Sequence, residues 1–154
     1  MALDSESRWR LVRKLKAQPA TPETENIVRE ATVADLTEIA EIYNYYILNS
    51  VITFDVEAMK LDEWKSKFEY LQGLKLPFIV AQSPSGQILG FAYLAPWRQK
   101  AAYRRTAENS IYLKPSARGK HIGTQLLKDL LARGKKAGLR EVVAVISEDR
   151  KSVV

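Results

Sequence analysis

The stretch Glu108–Leu131, ENSIYLKPSARGKHIGTQLLKDLL, decides how the rest of the chain is arranged. Its first part, Glu108–Leu113, sets Ile111, Tyr112 and Leu113 in succession and predicts a strand. Lys114-Pro115-Ser116-Ala117 stops that strand, because proline has no N–H to give to a ladder. Ile122, Leu126, Leu127, Leu130 and Leu131 then recur at the spacing of an amphipathic helix. The unit is strand, short glycine-bearing loop, helix. Such a loop exposes unpaired main-chain N–H groups at the positive end of the helix dipole. Gly119 and Gly123 let an anion come close, and Arg118 and Lys120 add charge, so the stretch reads as a phosphate or pyrophosphate cradle. A tight turn with solvated cations is the competing reading. Neither the dinucleotide GxGxxG nor the P-loop pattern is present.

Working outward, the remaining elements follow from periodicity and punctuation. Asn26–Ala31 reads as a first strand, and Thr32 with Asp35 three residues on resembles a capping box. Leu36, Ile39, Tyr43 and Ile47 mark a helix that ends near Asn49-Ser50, followed by a β-prone connection, Val51–Phe54. Trp64, Phe68 and Leu71 mark a second helix over Leu61–Gln72, with Gly73 as its stop. Phe78–Gln82 and Ile88–Leu94 flank a Ser83–Gly86 turn and predict a hairpin. A polar loop, Ala95–Lys100, leads to the central strand, Thr106–Leu113. Gly138 marks the end of the last helix, and Glu141–Ile146, EVVAVI, suits a strand covered on both faces. The order β-α-α-β-β-β-α-β predicts an α/β (α+β) fold, a mixed sheet with helices on both faces and a βαβ crossover. That crossover puts the anion loop at the carboxyl end of its strand, where open sheets bind ligands.

Composition bounds the chemistry. A chain of 154 residues with 46% hydrophobic and 27% charged residues suits one globular domain. The formal charge of +6 favours acidic partners such as a polyphosphorylated cofactor, nucleic acid or anionic lipid. Without cysteine there is no disulfide and no thiol nucleophile, and a single histidine excludes multi-histidine metal sites, so no metal is expected. No apolar run approaches the ~20 residues of a membrane span, and no signal-peptide core is visible, so a cytoplasmic location with no membrane partner is expected. Residues 1–25 carry a basic segment, Ser7–Lys16, with Trp9 among arginines, then Pro19 and Pro22. They read as a disordered leader and linker, with a targeting or surface-binding tail as the rival.

The loop resembles the acetyl-CoA loop of the GNAT acetyltransferases, Gln/Arg-x-x-Gly-x-Gly/Ala, with Arg118 first, Gly123 last and His121 in place of the central glycine. From about Ile27 to Ile146 the chain resembles the phosphinothricin acetyltransferase-like branch of that superfamily. The matching text is IVREAT, Ile42-Tyr43-Asn44, Ser50–Phe54 (SVITF), Gly90–Trp97 (GFAYLAPW), Ala107–Pro115 (AENSIYLKP), RGKHIG and VVAVI. The resemblance implies acetyl transfer from acetyl-CoA to the primary amine of a small molecule, an amino acid or an analogue such as phosphinothricin or methionine sulfone. It implies direct attack by the amine, with Glu108 as the base; a strand carboxylate paired with Arg104 or Arg105 is the bland alternative. It further implies that main-chain N–H groups at Ile111, Tyr112 and Leu113 polarise the thioester and bind pantetheine. Arg118, Gly119, Lys120, His121 and Gly123 would hold the pyrophosphate. Substrate contacts carry over to Arg98, Lys100 and Tyr103, with Phe54 in an apolar wall. Relatives have Lys then Arg where this chain has Arg98 then Lys100, and a fork is not a point charge.

The resemblance implies a domain over residues 26–148 that is incomplete, since the family continues with a helix and two more strands. A common sequencing-adapter start, GAT CGG AAG AGC GTC GTG TAG, translates to Asp149–Val154 and a stop, so residues 149–154 read as an artefactual tail on a truncated frame, with a coincidental natural end as the rival reading. On that expectation Glu141–Ile146 would be an unpaired apolar edge. The rival functions are a catalytically inactive CoA-binding or interaction fragment and, with no stacked aromatic–basic motif behind it, a nucleic-acid-binding module. The resemblance allows a homodimer and implies no nucleic-acid partner.

Overall fold

The computed structural model describes residues 25–49 and 57–146. Residues 1–24 of the leader, the Ser50–Phe54 stretch with Phe54, and the last eight residues lie outside them. Eight main elements appear in the expected order: β1 (Ile27–Glu30), α1 (Leu36–Asn49), α2 (Leu61–Gly73), β2 (Phe78–Gln82), β3 (Ile88–Pro96), β4 (Thr106–Leu113), α3 (Ile122–Lys136) and β5 (Glu141–Ala144). The five strands lie side by side in chain order, antiparallel from β1 to β4, with β5 parallel to β4. The fold is thus the mixed α/β sheet expected, with β4–α3–β5 as its crossover. Among the described strands β4 is second from an edge rather than central.

The sheet separates two cores. Phe78, Val80, Phe91 and Tyr93 face α1 and α2, where they meet Ile39, Tyr43, Trp64 and Leu71. Ile79, Ala81, Ala92 and Leu94 face Ile122, Leu126 and Leu130 of α3. Covered on both faces, β2 and β3 carry apolar runs instead of alternation. The edge strands differ. In β5, Val142 packs toward α3 while Glu141 and Ala144 are exposed, and Val145 and Ile146 beyond it are 44% and 59% exposed. The expectation of a strand covered on both faces is corrected here. No strand pairs with the outer side of β5 among the described residues, so its apolar run is only half buried.

Helix ends follow local rules. α2 and α3 both close in Schellman motifs, with Leu76 N–H bonded to Leu71 O and Leu139 N–H to Gly134 O. Gly138 takes the left-handed position at the end of α3, as expected. At the end of α2 that position belongs to Lys75 (φ 56°), not to Gly73, which remains helical. At the start of α1, Asp35 accepts from Thr32 N–H (2.8 Å) and hydroxyl (3.2 Å), as the capping pattern implies.

Asp35 also receives both arms of Arg29, each at 2.8 Å, which pins β1 to the start of α1. Burial pushes its carboxyl up, but the Arg29 guanidinium and the Thr32 donors outweigh burial and hold it below the usual carboxylate range. A carboxyl depressed in the folded state adds stability above its unfolded pKa, about 3.9, and loses it as pH falls through the lower folded value. Urea midpoints should therefore drop through that acid window, and the drop should be shallower in Asp35→Asn. Equal acid slopes in the two proteins would contradict the assignment.

Candidate active site

The register of β4 determines which of its main-chain groups are available. Trp97 N–H donates to Thr106 O and Lys114 N–H to Leu89 O, so the even-numbered residues of β4 bond to β3. Odd-numbered residues turn the other way, toward β5, and Arg140 N–H reaches Arg105 O accordingly. β5 pairs only with Thr106–Asn109. Beyond Asn109 the pairing with β5 stops, and the N–H groups of Ile111 and Leu113 face that side with no strand partner among the described residues. Tyr112, between them, has its main chain turned to β3 and its ring against Tyr43 and Phe91. Where that pairing ends, Asn109 Oδ1 is sealed from solvent without a hydrogen-bond partner among the described residues. A buried acceptor left in that state is costly and needs an explanation.

Beyond Leu113 the chain folds tightly. A 3₁₀ turn, Pro115–Ala117, buries Ala117, and α3 then starts at the buried Ile122. Between them Gly119 (φ 73°) and His121 (φ 61°) are left-handed. No backbone carbonyl among the described residues accepts from the N–H groups of Gly119 to Thr124. A Cβ at Gly119 would meet nothing within 4 Å, and one at Gly123 only Leu113 Cδ1 at 3.5 Å. Packing therefore does not require glycine at 123; open space lies beside the donors. Arg118, Lys120 and His121 are all exposed around this cup. The residues present fit a diphosphate: free donors at a helix start, cations at the rim and room for the anion.

His121 occupies a left-handed position that costs an L-residue roughly 1–2 kcal/mol. Replacing it with glycine relieves that strain while adding about 0.5–1 kcal/mol of chain entropy. His121→Gly should therefore leave the denaturation midpoint nearly unchanged and lower the KM for an anionic co-substrate by opening the cup. A raised KM would show instead that the imidazole is a phosphate donor.

At the other end of β4, Glu108 lies on the α1–α2 face, opposite Ala95 on β3 and Val143 on β5. It is half-buried, and it makes no ion pair with Arg104, Arg105 or any other described residue. The Trp97–Arg105 loop joins β3 to β4 at this end. Arg98, Lys100 and Tyr103 are exposed on it, with the Arg98 guanidinium 5.3 Å from the Trp97 ring centre. Its four cations face no carboxylate within the loop, a setting for an anionic ligand. Glu108 and Leu113 are five residues apart, about 17 Å at the rise of a strand. One strand thus carries, in order, a basic loop, a carboxylate, free N–H groups and an anion cup.

Two features escaped sequence reasoning. Tyr46 of α1, three residues beyond Tyr43 on the same helical stripe, donates to Leu113 O and accepts from Arg118 Nε at 3.2 Å. Asn44, noted only as part of a matching triplet, bonds both main-chain groups of Met59 and fixes the approach to α2. The stripe spacing places Tyr46 on the buried face, but nothing local points to a contact 72 residues away.

Comparison with known proteins bears on this arrangement. Residues 38–153 match the model of the acetyltransferase (GNAT) family. The L-methionine sulfoximine/L-methionine sulfone acetyltransferase of Pseudomonas aeruginosa is 34% identical over 77% of this chain and 69% of its own length. The phosphinothricin N-acetyltransferase of Streptomyces viridochromogenes is 34% identical over 77% of this chain and 64% of its own. Among solved structures, a GNAT superfamily phosphinothricin acetyltransferase from Sinorhizobium meliloti in complex with AcCoA superposes with a TM-score of 0.80. It is 38% identical and matched over 82% of this chain and 69% of that one.

Proposed function

Since the chain belongs to the acetyltransferase (GNAT) family, we propose that it transfers the acetyl group of acetyl-CoA to the primary amine of a small amino acid or amino-acid analogue. The observation that carries this reading is the order of groups along β4. An acyl carrier anchored by its diphosphate in the Arg118–Gly123 cup can run along the gap beside Ile111 and Leu113 and present its thioester near Glu108. No other described strand combines those parts.

Each residue then has a task set by its chemistry. Gly119, Lys120, His121 and Gly123 offer main-chain N–H groups to the diphosphate, and Arg118 and Lys120 neutralise it. The Leu113 N–H takes an oxygen of the pantetheine arm. The Ile111 N–H polarises the thioester carbonyl and stabilises the oxyanion formed on attack. Glu108 removes a proton from the amine, which is mostly protonated at neutral pH. The N–C bond forms and the C–S bond breaks; the attacking nitrogen sheds its second proton, the leaving thiolate takes up a proton, and coenzyme A departs as the thiol. Arg98, Lys100 and Tyr103 orient the acceptor through its carboxylate and second polar group. Names of the relatives agree with this class of acceptor.

Amine-dependent release of free thiol from acetyl-CoA tests the reading, with L-methionine sulfone, L-methionine sulfoximine and phosphinothricin as acceptors. Turnover with at least one is expected. Folded protein that binds coenzyme A yet releases no thiol with any of them would favour a non-catalytic CoA-binding role.

A further inference from the structure

We propose that Tyr46 is the positioning residue of the phosphate clamp: its hydroxyl holds Arg118 so that the guanidinium presents its two terminal nitrogens to the diphosphate. The proposal rests on the reading of the Arg118–Gly123 loop as the diphosphate site.

Tyr46 is itself immobilised. It is 4% exposed on α1, and its ring packs against Tyr45 and Tyr112. A phenol has one proton to give, and the Tyr46 hydroxyl gives it to Leu113 O at the end of β4. Its oxygen is thereby left as an acceptor, and Arg118 Nε fills that role at 3.2 Å. The guanidinium carbon also lies 5.1 Å from the centre of the same ring. Two restraints on one exposed arginine, a hydrogen bond to Nε and a ring beneath it, fix the plane of the fork. Nε is used up, and the four N–H bonds on the terminal nitrogens make no ion pair among the described residues. Those nitrogens are the edge that grips phosphate bidentately. One hydroxyl thus links the end of the strand that lines the gap to the first residue of the anion cup. Chained polar groups of this kind polarise one another.

The alternative is a tie that only fastens α1 to the sheet. Two acyl donors separate the two roles: acetyl-CoA, and S-acetylpantetheine, which has the thioester and the arm but no diphosphate. Tyr46→Phe keeps the ring and removes the hydroxyl. Its KM for acetyl-CoA should rise about tenfold, the low end for a hydrogen bond to a charged group, with kcat changed far less. Its kinetics with S-acetylpantetheine should change little. Arg118→Lys keeps the charge without the Nε–H and should show the same split, which covers the case of a poorly folded Tyr46→Phe. Tyr46→Phe combined with Arg118→Ala should be no worse than Arg118→Ala alone. Equal losses with both donors, or additive losses in the double variant, would overturn the proposal. A wild-type preference for acetyl-CoA that Tyr46→Phe leaves intact would overturn the role of Tyr46 alone. Wild-type protein with no such preference would overturn the diphosphate reading together with it.

Discussion

Replacing Glu108 with glutamine should lower kcat by about 10²–10⁴-fold, the usual contribution of a positioned base, while coenzyme A binding stays near wild type. The carboxylate is half-buried on β4 and free of ion pairs among the described residues, so the amide can replace it without breaking a structural contact. A stability change is therefore not the expected route to lost activity. The pH dependence separates a base from a mere substrate contact. As pH rises, bulk water deprotonates more of the acceptor amine and the need for a protein base falls. The deficit of Glu108→Gln should narrow with rising pH if Glu108 takes the proton. A deficit constant across the range would mean that Glu108 only holds the acceptor, and full activity would remove it from the mechanism.

The second large effect is on stability. Trp64 is fully buried, and its ring meets Tyr43, Phe91, Phe78 and Tyr93 edge-on at 5.3–6.4 Å between centres. Lys67 Nζ lies 4.6 Å from the Tyr93 ring centre and 5.7 Å from that of Trp64, which screens the cluster from solvent. Trp64→Ala should cost about 3–5 kcal/mol from lost transfer energy and the cavity left behind. Against a typical domain stability of about 5–15 kcal/mol that is a large share. Trp64→Phe should behave quite differently. The indole Nε1 is buried with no acceptor among the described residues, and removing an orphaned donor recovers about 1–3 kcal/mol of desolvation. That gain offsets much of the volume lost, so the phenylalanine variant should unfold close to wild type in urea. If both variants lost stability alike, the indole N–H would have to be satisfied in solution.

Much of this architecture was legible in the residues. Pro115 stops one element, and the Ile122–Leu130 stripe starts the next with its apolar face already chosen. The strand–loop–helix unit follows with hardly a boundary moved. Elsewhere the sequence underdetermined the outcome for identifiable reasons. An apolar run such as EVVAVI cannot distinguish a strand buried between layers from one at the edge; only the neighbours decide, and here one side lacks a strand among the described residues. Gly73 looked like a helix stop because glycine tolerates left-handed geometry, yet the geometry fell two residues later on Lys75, where Leu76 N–H could close on Leu71 O.

The candidate site divides along the same line. Arg118, Lys120 and the two glycines could be picked out by residue type, and Glu108 only through the family resemblance. Which main-chain groups stand free could not be picked out, because that depends on register: Ile111 and Leu113 face the unpaired side, whereas Tyr112 faces β3. His121 in a glycine-like position was visible as a departure, and its positive φ gives that departure a physical meaning. Tyr46 needed the fold, since its partners are brought to it only when α1 lies across the end of β4.

The most direct test is calorimetric titration of the full chain with coenzyme A. Saturable one-to-one binding, weakened by Arg118→Ala and by a bulky side chain at Gly123, is the predicted result. Folded protein that takes up no coenzyme A would contradict the assignment of the Arg118–Gly123 cup, and the acyl-transfer reading with it.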